Sequence, residues 1–150
     1  MKDTAVIRRE RTTSGALLLL ASACSYEIHR ARPGVLYMVI AGNETGQLGR
    51  APLGEVAAEA AQFPPLRLFI DMTQLNGIAP EVSDDWTAWF KSNQQSVAKV
   101  HAFVESPLVQ LTVVVSQLVS RTGNLIRVHT DRAAFDAALA EVAPEFQRPR

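Results

Sequence analysis

The stretch that decides the fold is Val-Leu-Tyr-Met-Val-Ile-Ala, residues 35–41. An apolar run of this length, without polar residues at alternate positions, is typical of a β-strand that is covered on both faces. A second run, Leu-Arg-Leu-Phe-Ile-Asp-Met at residues 66–72, has nearly the same character. Because such strands are normally covered by helices, the two runs predict an α/β domain.

The flanking sequence extends this core in both directions. Residues 25–30 alternate between polar and apolar side chains, and Pro33-Gly34 follows as a turn, so a hairpin precedes the buried run. Further strands are predicted at 66–72, 100–104 and 125–128, and helices at 53–61, 82–93, 108–120 and after the cap residue Asp131. The predicted order is β-β-α-β-α-β-α-β-α, a mostly parallel sheet with covering helices and an antiparallel hairpin at one edge.

The length of 150 residues suits one domain. We divide the chain into an N-terminal arm at 1–22, the α/β domain at 23–143 and a C-terminal tail at 144–150. The arginines near both ends are interpreted as solvated. Leu17 to Leu20 of the arm could instead cover another subunit.

Composition limits the classes of partner. Lys and Arg together number 15, as do Asp and Glu, so the net charge is zero and no basic footprint of a nucleic-acid binder is present. Cys24 is the single cysteine, which excludes an intrachain disulfide and favours a reducing, cytoplasmic compartment. No apolar stretch approaches the roughly 20 residues of a membrane span.

Four segments carry a resemblance to a known superfamily. They are Gly34–Tyr37, Leu68–Thr73, Val104–Val109 and Ile126–Asp131, the last followed by Ala134-Phe135. In this order the chain resembles the STAS-like superfamily of anti-sigma-factor antagonists and sulfate-transporter tails, and especially its STAS/SEC14-like variant, over about three quarters of its length. The resemblance implies a SpoIIAA-like fold and a regulatory, protein-binding role in bacteria.

The resemblance also locates a contact surface. In the antagonists, a serine at the start of the helix after the third strand is phosphorylated, where a phosphate meets free backbone N–H groups. Pro80 stands at the aligned position, and the nearest hydroxyl, Ser83, is interpreted as a helix cap. We therefore expect a contact surface that is not switched by serine phosphorylation, formed by Ile78, Pro80, Glu81 and Ser83.

Residue patterns for catalysis or metal binding do not appear. The chain has neither a nucleotide-binding glycine loop nor a nucleophile elbow. His101 and His129 could lie close on neighbouring strands, but a metal site needs three or four ligands. Cys24 is interpreted as a buried, inert thiol, and the adjacent Asp84 and Asp85 as solvated residues near a helix start. The prediction is a protein that is not an enzyme and has no cofactor or metal.

Two functional hypotheses remain. The first is a module that binds another protein or itself, because the predicted helix 108–120 is apolar on more than one side and places Val109 and Val113 away from the core stripe. The second is a carrier of a lipid or small apolar ligand. Its pocket would be lined by Trp86, Trp89 and Phe90, which share one helical face. The alternative is that these three side chains only cover the sheet.

Overall fold

The computed structural model describes residues 8–105 and 121–148, which form one sheet of seven strands with three α-helices and a short 3-10 helix. The strands are β1 (Arg8–Arg11), β2 (Leu17–Leu20), β3 (Cys24–Arg32), β4 (Val35–Glu44), β5 (Leu66–Ile78), β6 (Val97–Phe103) and β7 (Ile126–His129). The helices are α1 (Ala51–Gln62), α2 (Pro80–Ser92) and α3 (Arg132–Val142), with the 3-10 helix at Gln94–Ser96.

The sheet has an antiparallel half and a parallel half. Strands lie side by side in chain order, β1 to β7. The first four pair antiparallel, whereas β4 to β7 pair parallel. The α/β class is confirmed. The prediction of a mostly parallel sheet with one antiparallel hairpin at the edge is wrong, because three of the six ladders between the described strands are antiparallel. The antiparallel half is a four-stranded meander.

The first two strands come from the predicted N-terminal arm. Leu17 to Leu20 pairs with β3 of the same chain, and the side chains of Leu17 and Leu19 are buried in its core. A tight turn precedes β2, in which the Gly15 N–H donates to the Thr12 carbonyl at 2.9 Å. Residues 8–20 therefore belong to the domain rather than to a separate arm, and Leu17 and Leu19 cover this chain rather than a neighbouring subunit.

Two strands extend beyond their predicted ends. β4 continues to Glu44 and β5 to Ile78, and the two extensions pair across two register shifts. Gly42 makes this possible, since its φ is 86° and a Cβ there would lie 2.1 Å from the Ala23 carbonyl oxygen. Residues 42–44 and 73–78, which lie between the predicted strands and helices, are therefore strand.

Helices cover the sheet on both faces. Helices α1 and α2 lie on one face, hereafter the α1/α2 face, and bury Leu36, Met38, Leu68, Val100 and their neighbours in the larger core. The opposite face, hereafter the α3 face, has a smaller core formed by Val35, Tyr37, Phe69, Phe103, Phe135, Leu139 and Ala143. Successive strand residues point to opposite faces, which is why one apolar run supplies both cores.

Helix boundaries follow their caps. Asp131 caps α3 as predicted, accepting a hydrogen bond from the Ala133 N–H at 3.2 Å. Helix α2 begins at Pro80 with Ala79 as its N-cap, so the interpretation of Ser83 as the cap is wrong. The predicted helix 108–120 lies outside the described residues.

The C-terminal tail packs on the domain. Phe146 contacts the core of the α3 face, and Arg148 pairs with Asp136 at 3.1 Å. Arg148 is therefore not a freely solvated tail residue. In the described part of the chain, no helix has the length and apolar character needed to cross a bilayer.

Candidate functional site

The predicted contact surface lies where β5 ends and α2 begins. Pro80 and Glu81 are exposed there, whereas Ile78 and Ser83 are half-buried. The Ala79 N–H donates to the Glu44 carbonyl oxygen at 2.8 Å, which joins the start of α2 to the end of β4. The structure thus brings these four predicted residues together at one corner. Val109 and Val113, predicted for the same role, lie outside the described residues.

The inner side of α2 is aromatic. Trp86 and Phe90 are buried with ring centroids 5.9 Å apart, and the half-buried Trp89 meets Phe90 edge-on at 5.5 Å. These three residues pack against the core of the α1/α2 face. They fix the helix to the sheet, and two of them also border a cavity.

An apolar cavity separates part of α2 from the sheet. Its volume is ≈ 40 Å³, and it is lined by Met38, Ile40, Ile70, Met72, Ile78, Ser83, Trp86, Phe90, Val100, Ala102 and Ile126. Ser83 supplies the one polar side chain of this lining. A small apolar group fits such a space, whereas drug-sized ligands occupy pockets of roughly 300–1,000 Å³.

A buried carboxylate lies at the same end of the sheet. Glu44 is 1% exposed and accepts hydrogen bonds from the Tyr26 hydroxyl at 2.5 Å and the Gly46 N–H at 2.8 Å. The thiol of Cys24 lies 3.8 Å from the same carboxylate. Burial and the Glu44 charge raise the pKa of Cys24 to about 11, and the same causes raise the pKa of Tyr26. Both groups are protonated at neutral pH, as expected for structural rather than nucleophilic groups.

Sequence reasoning missed this cluster. Glu44 falls in a stretch rich in Gly and Asn that reads as a loop, and no local pattern marks it as buried. The one available signal is the alternation Cys24, Tyr26, Ile28, which places a thiol and a phenol on the same face of β3.

A second polar cluster lies on the α3 face. Asp71 is buried, accepts a hydrogen bond from the Tyr37 hydroxyl at 3.1 Å and forms an ion pair with Arg132 at 3.5 Å. The Arg132 guanidinium also lies 4.6 Å from the centroid of the Phe103 ring. The cluster ties the first turn of α3 to β5 and β6, so its clearest role is to hold the helix in place.

His101 and His129 meet on the same face, as the sequence suggested they could. Nδ1 of His101 lies 2.9 Å from Nε2 of His129, and the His101 ring stacks on Phe69 at 4.6 Å. His29 lies elsewhere, bonded to Glu27 at 2.5 Å and packed against Tyr37. Within residues 8–105 and 121–148, no group of three His, Cys, Asp or Glu side chains is arranged to hold a metal.

The histidine pair predicts a pH dependence of stability. Burial, followed by the charges of His129, Lys99, Arg127 and Arg67, lowers the pKa of His101 from 6.5 to about 4, and burial lowers the pKa of His129. Between these pH values the unfolded chain binds more protons than the folded one, so the free energy of unfolding falls as the pH drops from 6.5 towards 4. Urea unfolding at pH 7, 6, 5 and 4 measures the slope.

The double variant His101→Gln, His129→Gln is the control for this prediction. It removes both titrating groups while keeping polar side chains of similar size. Its stability should depend less on pH over that window than the stability of the wild type. Equal slopes for the two proteins would contradict the assignment.

Comparison with known proteins shows the fold alone. The chain is similar to a solved structure from Shewanella loihica PV-4, described as an uncharacterized protein of the DUF3478 family with a SpoIIAA-like fold. The match covers 93% of this chain and 98% of the chain from Shewanella. The TM-score is 0.50 and the sequence identity is 17%. No protein-family model and no curated protein matches the chain. The chain therefore has a SpoIIAA-like fold, which confirms the fold that the sequence resemblance implies.

Proposed function

We propose that this protein is a non-catalytic STAS-like interaction module of bacterial regulation or assembly, acting in the cytoplasm and binding another protein or a second copy of itself. The observation that carries the proposal is the corner at the start of α2. There Pro80 and Glu81 are exposed on a helix whose opposite side is anchored by buried Trp86 and Phe90. An exposed surface on a fixed element loses little conformational freedom when a partner binds.

The chemistry of this corner supports constant rather than switched binding. Pro80 occupies the first turn of α2 and carries no hydroxyl that a kinase could modify. Ser83, the nearest hydroxyl, is half-buried and faces the apolar cavity. A phosphate on Ser83 would place two negative charges against Trp86 and Ile78, which is unfavourable.

The state of the two potential nucleophiles, Cys24 and Tyr26, also agrees with a binding role. The thiol of Cys24 and the hydroxyl of Tyr26 are buried and protonated, and both contact the structural carboxylate of Glu44. Val109 and Val113 remain our proposed residues for self-association.

Affinity capture from the native host tests the proposal. The full chain serves as bait in three forms: wild type, Glu81→Arg, and Glu145→Arg as a control that makes the same charge change at another exposed site. The expected result is a protein that is retained by the wild type and the control but reduced at least tenfold with Glu81→Arg. Light scattering on the same samples reports self-association. A strict monomer that retains no protein, or equal capture by all three baits, would contradict the proposal.

The cavity under α2 favours a second candidate function. Its lining of Met, Ile and aromatic side chains suits a small apolar ligand or one end of a lipid chain. At ≈ 40 Å³ the cavity holds only a small group, so a larger ligand requires α2 to move outward. Native mass spectrometry of the purified protein discriminates the two functions, because a carrier retains a ligand that a protein-binding module lacks.

A further inference from the structure

Three cations of the α3 face have no carboxylate partner among the described residues. Most arginines of the described residues form an ion pair; these include Arg8, Arg9, Arg30, Arg50, Arg121, Arg132 and Arg148. Arg67, Lys99 and Arg127 of the α3 face do not. Elsewhere, Arg11 and Arg32 donate only to backbone carbonyl oxygens, those of Gly15 and Val142, and Lys91 is the exposed lysine of α2. Lys99 donates only to the Asn124 carbonyl oxygen, at 2.5 Å.

These three cations are neighbours in the sheet. Arg67 lies directly opposite Lys99 in the β5–β6 ladder, and Arg127 lies opposite His101 in the β6–β7 ladder. Lys99 and His101 are two residues apart and thus on the same face, and His101 stacks on Phe69 of the α3 face. Adjacent strands are about 4.8 Å apart, so the three cations span roughly 10 Å. Their combined charge contributes to the lowered pKa of His101.

Helix α3 does not cover the part of the α3 face of the sheet that carries these three cations. Its Phe135 packs on Phe69 and Phe103, nearer the carboxyl ends of the strands. Arg67 and Arg127 are exposed and Lys99 is half-buried. We call Arg67, Lys99 and Arg127 the cationic face.

An open groove continues from the cationic face. It has a volume of ≈ 640 Å³ and is lined by Arg32, Pro33, Gly34, Val35, Gln62, Phe63, Pro64, Pro65, Arg67, Glu141 and Val142. Glu141 is the one acidic residue of this lining and forms no ion pair with Arg67. The groove gives the cationic face a concave neighbour with room for a chain segment.

We propose that the cationic face binds an acidic, extended segment of a partner protein. In an extended segment the carboxylates at alternate residues are about 6.6 Å apart, so two or three of them reach cations spread over roughly 10 Å. Complementary charges on two surfaces give specificity and fast association. This surface goes beyond the proposed function, because it lies on the opposite face of the sheet from α2 and its cavity.

The same observations disfavour other anions. Single-stranded nucleic acids stack their bases on exposed aromatic rings, but Phe69 beneath His101 is completely buried. The chain has a net charge of zero and therefore lacks the excess of positive charge that nucleic-acid binders carry. A small free anion needs donors that converge on one point, whereas these three are spread along a row.

Fluorescence anisotropy with a labelled peptide, (Asp-Glu)6, tests the proposal on the full chain. The amide peptide (Asn-Gln)6, a 12-mer of oligouridylate and inorganic phosphate are the competing probes. We expect the acidic peptide to bind at 50 mM NaCl and to weaken several-fold at 300 mM. Lys99→Glu and Arg127→Glu should each weaken it at least fivefold, and Lys91→Glu less than twofold. Lys91 is the matched control, since it is an exposed lysine on α2 with the same charge change.

A second readout locates the bound peptide. Its carboxylates would offset the cations around His101, so an NMR titration should show the pKa of His101 rising when the peptide is added. Four results would overturn the proposal: no binding at 50 mM NaCl, equal loss with Lys91→Glu, tighter binding of the oligonucleotide, or displacement of the peptide by micromolar phosphate. These outcomes are independent of Glu81, so this proposal and the proposed function can fail separately.

Discussion

Replacing Phe135 with alanine is expected to lower the free energy of unfolding by about 3–5 kcal/mol. Phe135 is the central side chain of the smaller core, fully buried, and its ring lies 5.2 Å from the ring of Phe103 and 6.0 Å from that of Phe69. Truncation leaves a cavity between α3 and the sheet that only a shift of the helix could fill. Since domains are stable by about 5–15 kcal/mol, this loss brings the variant close to unfolding. Urea denaturation at pH 7 measures it.

Phe63→Ala is the matched control for this prediction. Phe63 is half-buried, with the Arg30 guanidinium 5.4 Å from its ring centroid, so its truncation should cost about 1 kcal/mol. Phe135→Leu should fall between the two. Similar losses for Phe63→Ala and Phe135→Ala would show that α3 is not held by its aromatic contacts.

Replacing Glu44 with alanine is expected to cost about 2–4 kcal/mol. The substitution leaves the Tyr26 hydroxyl and the Gly46 N–H without their acceptor in a site where Tyr26 is fully buried. Buried donors without an acceptor carry the full penalty of desolvation. Thermal and urea unfolding measure the change, and the exposed Glu145→Ala serves as a control within about 0.5 kcal/mol of the wild type.

A double-mutant cycle separates the contribution of the Tyr26–Glu44 hydrogen bond from the other effects of removing the Glu44 side chain. If the Tyr26–Glu44 bond accounts for much of the loss, Tyr26→Phe and Glu44→Ala together should cost clearly less than the sum of the two single variants. Strict additivity would show that Glu44 stabilises the protein through other contacts. Retention of the oxygen acceptor in Glu44→Gln should recover part of the stability.

The parts of the fold that sequence predicts are those with strong periodicity. The apolar runs at 35–41 and 66–72 mark β4 and β5. Helical spacing marks α1, and the cap residue Asp131 marks the start of α3. The prediction of the antiparallel half is incomplete because Arg8–Arg11 contains no apolar residue and Leu17–Leu20 does not alternate between polar and apolar side chains. These strands form because β3 offers a free edge to pair with, and that is a tertiary effect.

The residues of the candidate site also differ in how far the sequence predicts them. Trp86 and Phe90 could be placed on the inner side of a helix from their spacing, and His101 near His129 from the strand order. Glu44 could not be identified, since its burial depends on β3 crossing beside it. The cationic face was missed as well. Arg67 and Lys99 occur singly in apolar strands, and only the register of β5 against β6 reveals that they are neighbours.

The order of the strands has a consequence for how the chain folds. Every ladder joins two strands that are consecutive in the described chain, and no strand has to insert between two that are already paired. Loop-closure entropy therefore stays low for the antiparallel ladders, whereas each parallel ladder joins residues farther apart in the chain, such as Val35 and Arg67. The sheet can grow outward from the tight β3–β4 hairpin in both directions, and the more local antiparallel half is expected to form first.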